Sequence, residues 1–460
     1  MGSDSLTSTL SRYIANAIER ELPDEVLQAA RLHMLDTFSA MISGSVMVPG
    51  RCGVNFARAF GGSEEAMVIG SNLVTGAASA ALANGMSAHA DETDDSHAPS
   101  LSHPGCAIVP AALAIAERQG RSGLDLLKAV VVGYDVGTRV GMALGRPAVD
   151  LRFSRPSSHS IAGTFGAAAA AAVLEKLSAV ECEYVLSHAA QMASGVTTWQ
   201  RDVDHIEKAY VFAGGPAQSG VQAAIMVSLK STGVLGVFDN NPNFLDALSQ
   251  KPNPLELTAG LGSRFEIAAT NIKRYSVGSP AQAAVQAMEE ILFDAPLRLE
   301  EITNIEILLP ADLAGVVNNR EMPDVNVQYL IAGTLLDGRC TFAMAHDYLR
   351  MNSDDVLHLR QLMKLVPDES RAGTRSAELR VYLADGTMLA KTVEHVRGTV
   401  QNPMTADEVR DKAIDVITLV LGMQQAKTVV AALERIDELA DVRELRTVFR
   451  LVNFSDRKNG

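Results

Sequence analysis

Apolar residues recur every three or four positions along 22-LPDEVLQAARLHMLDTFSAMISG-44, where a proline and two acids open the segment and Gly44 closes it. That spacing predicts a helix. The same period covers 73-LVTGAASAALANGMSA-88, 107-AIVPAALAIAERQG-120, 124-LDLLKAVVVGYDVGTRVGMAL-144, 161-IAGTFGAAAAAAVLEKL-177 and 217-AQSGVQAAIMVSLKSTG-233. Small residues dominate these faces and let helix axes approach closely, so an all-helical domain follows. Near residue 265 the texture changes. The stretch 263-SRFEIAATNIKRY-275 reads as β-rich, 280–292 as a helix, 302-ITNIEILLP-310 as an alternating strand, and 378-ELRVYLADGTMLAKTVE-394 as a hairpin turned at Asp385-Gly386. Thr405 and Glu408 then stand at capping-box spacing, and 402–422 returns to helix. The reading is a mainly α fold with an inserted α+β part: residues 1–267 form a helical domain, 268–401 the insertion, and 402–460 helices that rejoin the first domain.

Composition narrows the class. The chain of 460 residues is 47% hydrophobic with one Trp, and its apolar weight falls on Ala, Val, Leu and Ile. A formal net charge of -14, with no block of Lys and Arg, excludes a nucleic-acid coat but leaves room for a small anionic substrate met by a few gathered cations. Four scattered cysteines suggest neither a zinc knuckle nor a disulfide framework, and a reducing cytoplasm is the plain expectation. Uncharged spans such as 211–229 are built from Gly, Ala, Ser and Gln, which predicts buried helices and no membrane span.

One stretch stands apart. In 89-HADETDDSHAPSLSHPG-105, Asp91, Glu92, Asp94 and Asp95 place four carboxylates in five residues, yet positions 66–90 and 96–116 contain no Asp, Glu, Lys or Arg. Three readings compete: a solvated turn, a metal site using His89, His97, His103 and the carboxylates, and a cofactor-free acid/base site. The spacing matches neither a zinc-protease helix nor a calcium loop.

The run 81-ALANGMSAHADETDDSHAPSLSHPGCAIVPAALA-114 resembles the MmgE/PrpD family of dehydratases, decarboxylases and epimerases. The likeness continues through 133-GYDVGTRVG-141, 163-GTFGAAAAAA-172, 272-IKRYSVGSPAQAA-284, 328-QYLIAGTLLDG-338 and 402-NPMTADEV-409. The resemblance implies a helical domain built from both chain ends, an α+β lid over 268–401, a cleft between them lined by the acidic segment, and a homodimer. It implies no cofactor and no metal.

Carried over position by position, the resemblance puts Glu92 where an active-site Asp is common, Asp94 and Asp95 on the following acids, and Ser96 on a Thr. His103 matches a family histidine. Ser157 falls where another histidine belongs, with His159 two residues later. Lys208 matches a lysine that faces substrate carboxylates, and Lys273 and Tyr275 fit a K-x-Y pattern beside Arg274. Gln282 stands where many relatives have histidine, and Tyr329 matches a family tyrosine. The implied roles are catalytic for Glu92, His103, His159 and Tyr329, and substrate-binding for Asp94, Ser96, Lys208, Lys273, Arg274 and Gln282. The implied chemistry is proton abstraction beside a carboxylate of a small di- or tricarboxylic acid, by a dehydratase or decarboxylase. An epimerase of a dicarboxylate such as iminodisuccinate is the alternative, and a metal-dependent hydrolase the next.

Overall fold

The computed structural model describes residues 5–145 and 155–449. The chain opens with helices α1 (Leu6–Ala15), α2 (Asp24–Gly44) and α3 (Val48–Phe60). Asp24 and Glu25 occupy the first turn of α2, where negative charge suits the positive end of the helix dipole. A short ribbon, β1 (Ala66–Met67) against β2 (Val74–Thr75), precedes α4 (Ala77–Ala88), so the helix expected from residue 73 starts later, after Gly76. Then follow α5 (Gly105–Gln119), α6 (Gly123–Ala143), α7 (Ser158–Leu174) and α8 (Ala179–Met192). The short α9 (Ile206–Ala209) passes through a π-helical turn at Tyr210–Gly214 into α10 (Gly215–Ser228).

Helix α7 is buried on every side from Ser160 onward, as expected of a helix that is apolar all round. Its contact with α6 requires glycine, because a Cβ at Gly137 would lie 2.3 Å from the Ala162 carbonyl oxygen and one at Gly133 2.9 Å from that of Gly166. Larger side chains there would push the two axes apart.

The remaining strands form one mixed sheet in the order β4-β3-β5-β6, from β3 (Ile302–Pro310), β4 (Met363–Asp368), β5 (Ala377–Leu383) and β6 (Met388–Val393). β3 pairs parallel to β4 and antiparallel to β5, and the β5-β6 hairpin turns where expected, with Gly386 at φ +90°. Strand β4 had no sequence signal beyond a short apolar run, and its Pro367 fits an edge position, which needs no inward N–H.

The β-rich reading of 263–275 is corrected. Glu266–Ala269 is a 3-10 turn, and the stretch contributes only a single bridge, from Asn271 to Ser96. Side chains of α6 replace a partner strand: Asp135 accepts the Glu266 N–H at 2.7 Å, while Arg139 donates to the carbonyls of Ala259 and Arg264 at 2.6 and 2.7 Å.

Buried apolar residues fall into two clusters. The larger runs from Leu10 to Ile272 and resumes at Val409 to Phe449, and the smaller lies between Tyr275 and Val396. The helix Ala406–Leu421 begins with the capping box read from Thr405 and Glu408 and packs on α2 within the larger cluster. Among the described residues no helix is long and apolar enough to cross a membrane.

Candidate active site

The acidic stretch follows the C-terminus of α4 and leads into α5, and its four carboxylates divide into two pairs. Asp91 and Asp95 are turned into the helical body. Asp91 accepts the Ser43 hydroxyl and the Thr93 N–H. Asp95 accepts the Gly105 N–H at the start of α5 at 3.0 Å, the Tyr134 hydroxyl at 2.5 Å, and pairs with His33 Nδ1 at 2.8 Å. Lys412, from the helix Ala406–Leu421, donates to Asp36 at 2.6 Å and to the Thr93 carbonyl at 3.0 Å, so the far end of the chain clamps this loop. These bonds answer why so much charge sits in so uncharged a region: two of the four acids satisfy the buried loop itself.

Glu92 and Asp94 face the other way. Glu92 holds φ +56°, a conformation that costs a non-glycine residue energy, and the turn presents its carboxylate to two lysines. Lys208 Nζ donates to Oε1, and Lys273 Nζ donates to Oε2 at 3.0 Å and to the Glu92 carbonyl at 2.9 Å. Asp94 Oδ2 accepts from His89 Nδ1 at 2.8 Å and lies 3.3 Å from His103 Nδ1, off the line of a good hydrogen bond, while Oδ1 is 3.5 Å from Lys273. Burial pushes the Asp94 carboxyl up, but His89, His103 and Lys273 outweigh it and hold the group well below the usual carboxylate range.

A cavity of about 130 Å³ opens beside these groups. Glu92, His103, Ser157, His159, Lys208 and Phe212 line it from the helical part of the chain, and Gly278, Leu313, Val316, Val325 and Arg375 from the segment that carries the smaller cluster. His159 stacks on Phe212 with ring centroids 3.6 Å apart and lies 5.3 Å from the His103 ring. The π turn carries Phe212 and immediately follows α9, which holds Lys208. Burial pushes the His89 and His159 imidazoles well below their ordinary value, and for His159 the neighbouring His103 and His89 add to this. Burial also pulls the Lys208 ammonium down to about 7; Asp324 opposes this, whereas Lys273 and Arg320 reinforce it.

The structure brings Glu92, Asp94, His103, His159, Lys208 and Lys273 together, with Ser96 on the cavity wall. It does not bring the other three into contact with the cavity. Tyr329 is fully buried within the smaller cluster, its hydroxyl donating to the Met344 carbonyl at 2.5 Å, so the position implied as catalytic is occupied in packing. Arg274 is exposed and pairs with Glu289, while its neighbour Lys273 is buried against Glu92. Gln282 spends its amide on the carbonyls of Tyr275 and Val277 at 2.7 and 2.8 Å, shaping the loop that carries Lys273.

Four residues that sequence reasoning passed over belong to the same surroundings. His205, at φ +65°, places Nε2 3.5 Å from Glu92 Oε1 and Nδ1 3.6 Å from Asp324. Trp199 and Arg375 line the cavity. The chain's one tryptophan was a visible signal, whereas Arg375 and Asp324 had none. His89, Glu92 and His205 each place one potential metal-ligand atom within 4.8 Å of the others, as do His89, Asp94 and Cys106. The two lysines already occupy both oxygens of Glu92, which leaves that carboxylate poorly placed to take a divalent cation.

Buried acids and imidazoles gathered around a small cavity are the arrangement in which enzyme active sites are found. Residues 8–256 match the MmgE/PrpD N-terminal domain and residues 275–437 the MmgE/PrpD C-terminal domain, and the chain belongs to the MmgE/PrpD family. It is 25% identical to the cis-aconitate decarboxylase-like protein oryM of Aspergillus oryzae, over 96% of each chain. It is 26% identical to the cis-aconitate decarboxylase of Homo sapiens, over 97% of this chain and 95% of that one, and 23% identical to that of Aspergillus terreus, over 96% and 95%. The family and these relatives make it an enzyme of the lyase class.

Proposed function

We propose that the protein is a cofactor-free acid/base lyase that acts on a small di- or tricarboxylic acid, working at the carbon beside a carboxylate. The observation that carries this reading is the buried Asp94 beside His103, with His103 on the wall of a cavity that also holds Lys208 and Glu92. Asp94 holds the charge that an imidazolium at His103 needs, so His103 takes or delivers the proton. In a dehydration the base removes the proton next to the carboxylate, and the departing hydroxyl is protonated as water. In a decarboxylation the carbon–carbon bond to the leaving carboxylate breaks, its electron pair passes into the remaining conjugated acid, and the carbon is protonated. Both routes build negative charge that Lys208 is placed to meet. His159 fills the space left by a serine at 157, and its ring against Phe212 is the second candidate for proton transfer.

Residues 268–401 act as a lid in this reading. The support is a set of contacts that cross from this segment to the acidic loop: Ser276 with Thr93 at 2.7 Å, His346 with the Asp91 carbonyl at 2.8 Å, and Lys273 with Glu92. The names of the relatives make cis-aconitate the first acid to try. The test incubates the purified protein with cis-aconitate and a panel of di- and tricarboxylic acids in deuterium oxide. Carbon dioxide release, the enoate ultraviolet band and deuterium entry are followed together. Entry of deuterium with loss of a group supports a lyase, and entry with inversion alone supports the epimerase. No exchange into any acid refutes both.

A further inference from the structure

The cations around the cavity are unequally occupied. Lys208 and Lys273 are committed to Glu92, and on the neighbouring stretches Arg274 pairs with Glu289 and Arg397 with Glu408. Arg375 differs. It lines the cavity just before β5, and among the described residues its guanidinium makes no hydrogen bond and no ion pair. Asp312 attracts it only from beyond ion-pair distance, and burial pulls its ordinary value down. The same segment also supplies an apolar part of the wall, formed by Leu313, Val316 and Val325. A guanidinium keeps its charge in almost any protein setting, and its five donors stand ready for an acceptor that enters the cavity. Ser157 and Ser279, on the same cavity wall, also have buried hydroxyls without a partner.

We propose that Arg375 binds a carboxylate of the substrate, distinct from the one beside the reacting carbon, and so selects acids that carry at least two. The proposal rests on the lyase reading above and names a substrate-selecting residue for it. The guanidinium fork matches a carboxylate with two parallel N–H···O bonds, and the serine hydroxyls complete the acceptor's surroundings. Arg375 and His159 line the same cavity, so an anion bound by the guanidinium would share it with the proton-transfer groups.

The test uses the whole chain and three inert probes: propane-1,2,3-tricarboxylate, glutarate and glutaric acid monoamide. Calorimetric titration should show the wild type binding the first two more tightly than the monoamide. In Arg375→Met that preference should vanish through a loss of about ten- to a hundredfold for the two polyacids, the worth of a charged hydrogen bond. Arg375→Lys should recover part of it, because it restores charge without the fork. In turnover of an accepted polyacid, KM should rise with kcat little changed. A measurement without variants stands beside these: phenylglyoxal should label Arg375 in the wild type, seen by peptide mass spectrometry, and propane-1,2,3-tricarboxylate but not the monoamide should protect it. Polyacid preference unchanged in Arg375→Met, or labelling that no polyacid slows, overturns the assignment while leaving the lyase reading standing. A wild type that binds and turns over no polyacid overturns both.

Discussion

Replacing Asp94 by Asn keeps the side chain's shape and removes its charge. When His103 takes a proton from substrate, a positive ring forms 3.3 Å from Asp94 Oδ2. At an effective dielectric constant of about 20, unit charges at that distance attract by about 5 kcal/mol. Lys273, 3.5 Å from the other carboxylate oxygen, already draws on the same charge, so the full figure is an upper bound. A positioned acid or base contributes about 10² to 10⁴ in rate, which is about 3 to 5 kcal/mol of barrier. Asp94→Asn should therefore lower kcat by about 10² to 10⁴ and leave KM within about threefold, because the group acts on charge that develops only during reaction. His103→Gln should fall by a similar factor. The double variant should be no worse than the poorer single one, since the two residues act as a unit. The assay is initial rate at saturating substrate, with circular dichroism melts to show that each variant folds. Turnover of Asp94→Asn within about threefold of wild type, or losses that multiply in the double variant, would refute the pairing.

Three further outcomes are expected. Tyr329→Phe should leave kcat unchanged and lower stability by about 0.5 to 1.5 kcal/mol, the worth of its hydroxyl's bond to the Met344 carbonyl; a large fall in kcat in a stable variant would return this residue to the chemistry. Dialysis against EDTA should preserve activity, and loss restored by a divalent ion would show that His89, Glu92 and His205 hold a metal after all. Burial keeps His89 and His159 neutral, so their ring proton resonances should stay fixed from about pH 8 to about pH 6. The unfolded chain takes up these protons as pH falls through about 6.5 and the folded chain does not, so the stability these residues contribute is present above that pH and lost below it. A ring that titrates in the window, assigned by His89→Gln or His159→Gln, contradicts the burial argument.

Local signals were enough for much of the fold. The three-and-four spacing marked the main helices, the run of six consecutive alanines in α7 marked a core helix, Thr405 and Glu408 marked a helix start, and Asp385-Gly386 marked a hairpin. Each of these is written within a few residues, and its physics operates over that same distance. The acidic stretch was legible in the same way, as charge that an uncharged neighbourhood had to accommodate.

Division of labour within that stretch was not legible. Four acids within five residues look alike in a sequence, and only packing against Ser43, Tyr134 and His33 on one side and Lys208, Lys273 and His103 on the other turned two of them into the helical body and two the other way. The 263–275 segment lost its expected strand for a similar reason, because Asp135 and Arg139 of α6 satisfied its backbone from more than a hundred residues away. Tyr329, Arg274 and Gln282 carried the right letters in the right order, yet their direction was set by which neighbour reached them first. The sequence by itself determined the main helices, the β5-β6 hairpin and where charge gathers, since those depend on neighbours in the chain. Tertiary structure alone decided which charges are paired and which side chains reach the cavity, because both depend on contacts between residues far apart in the chain.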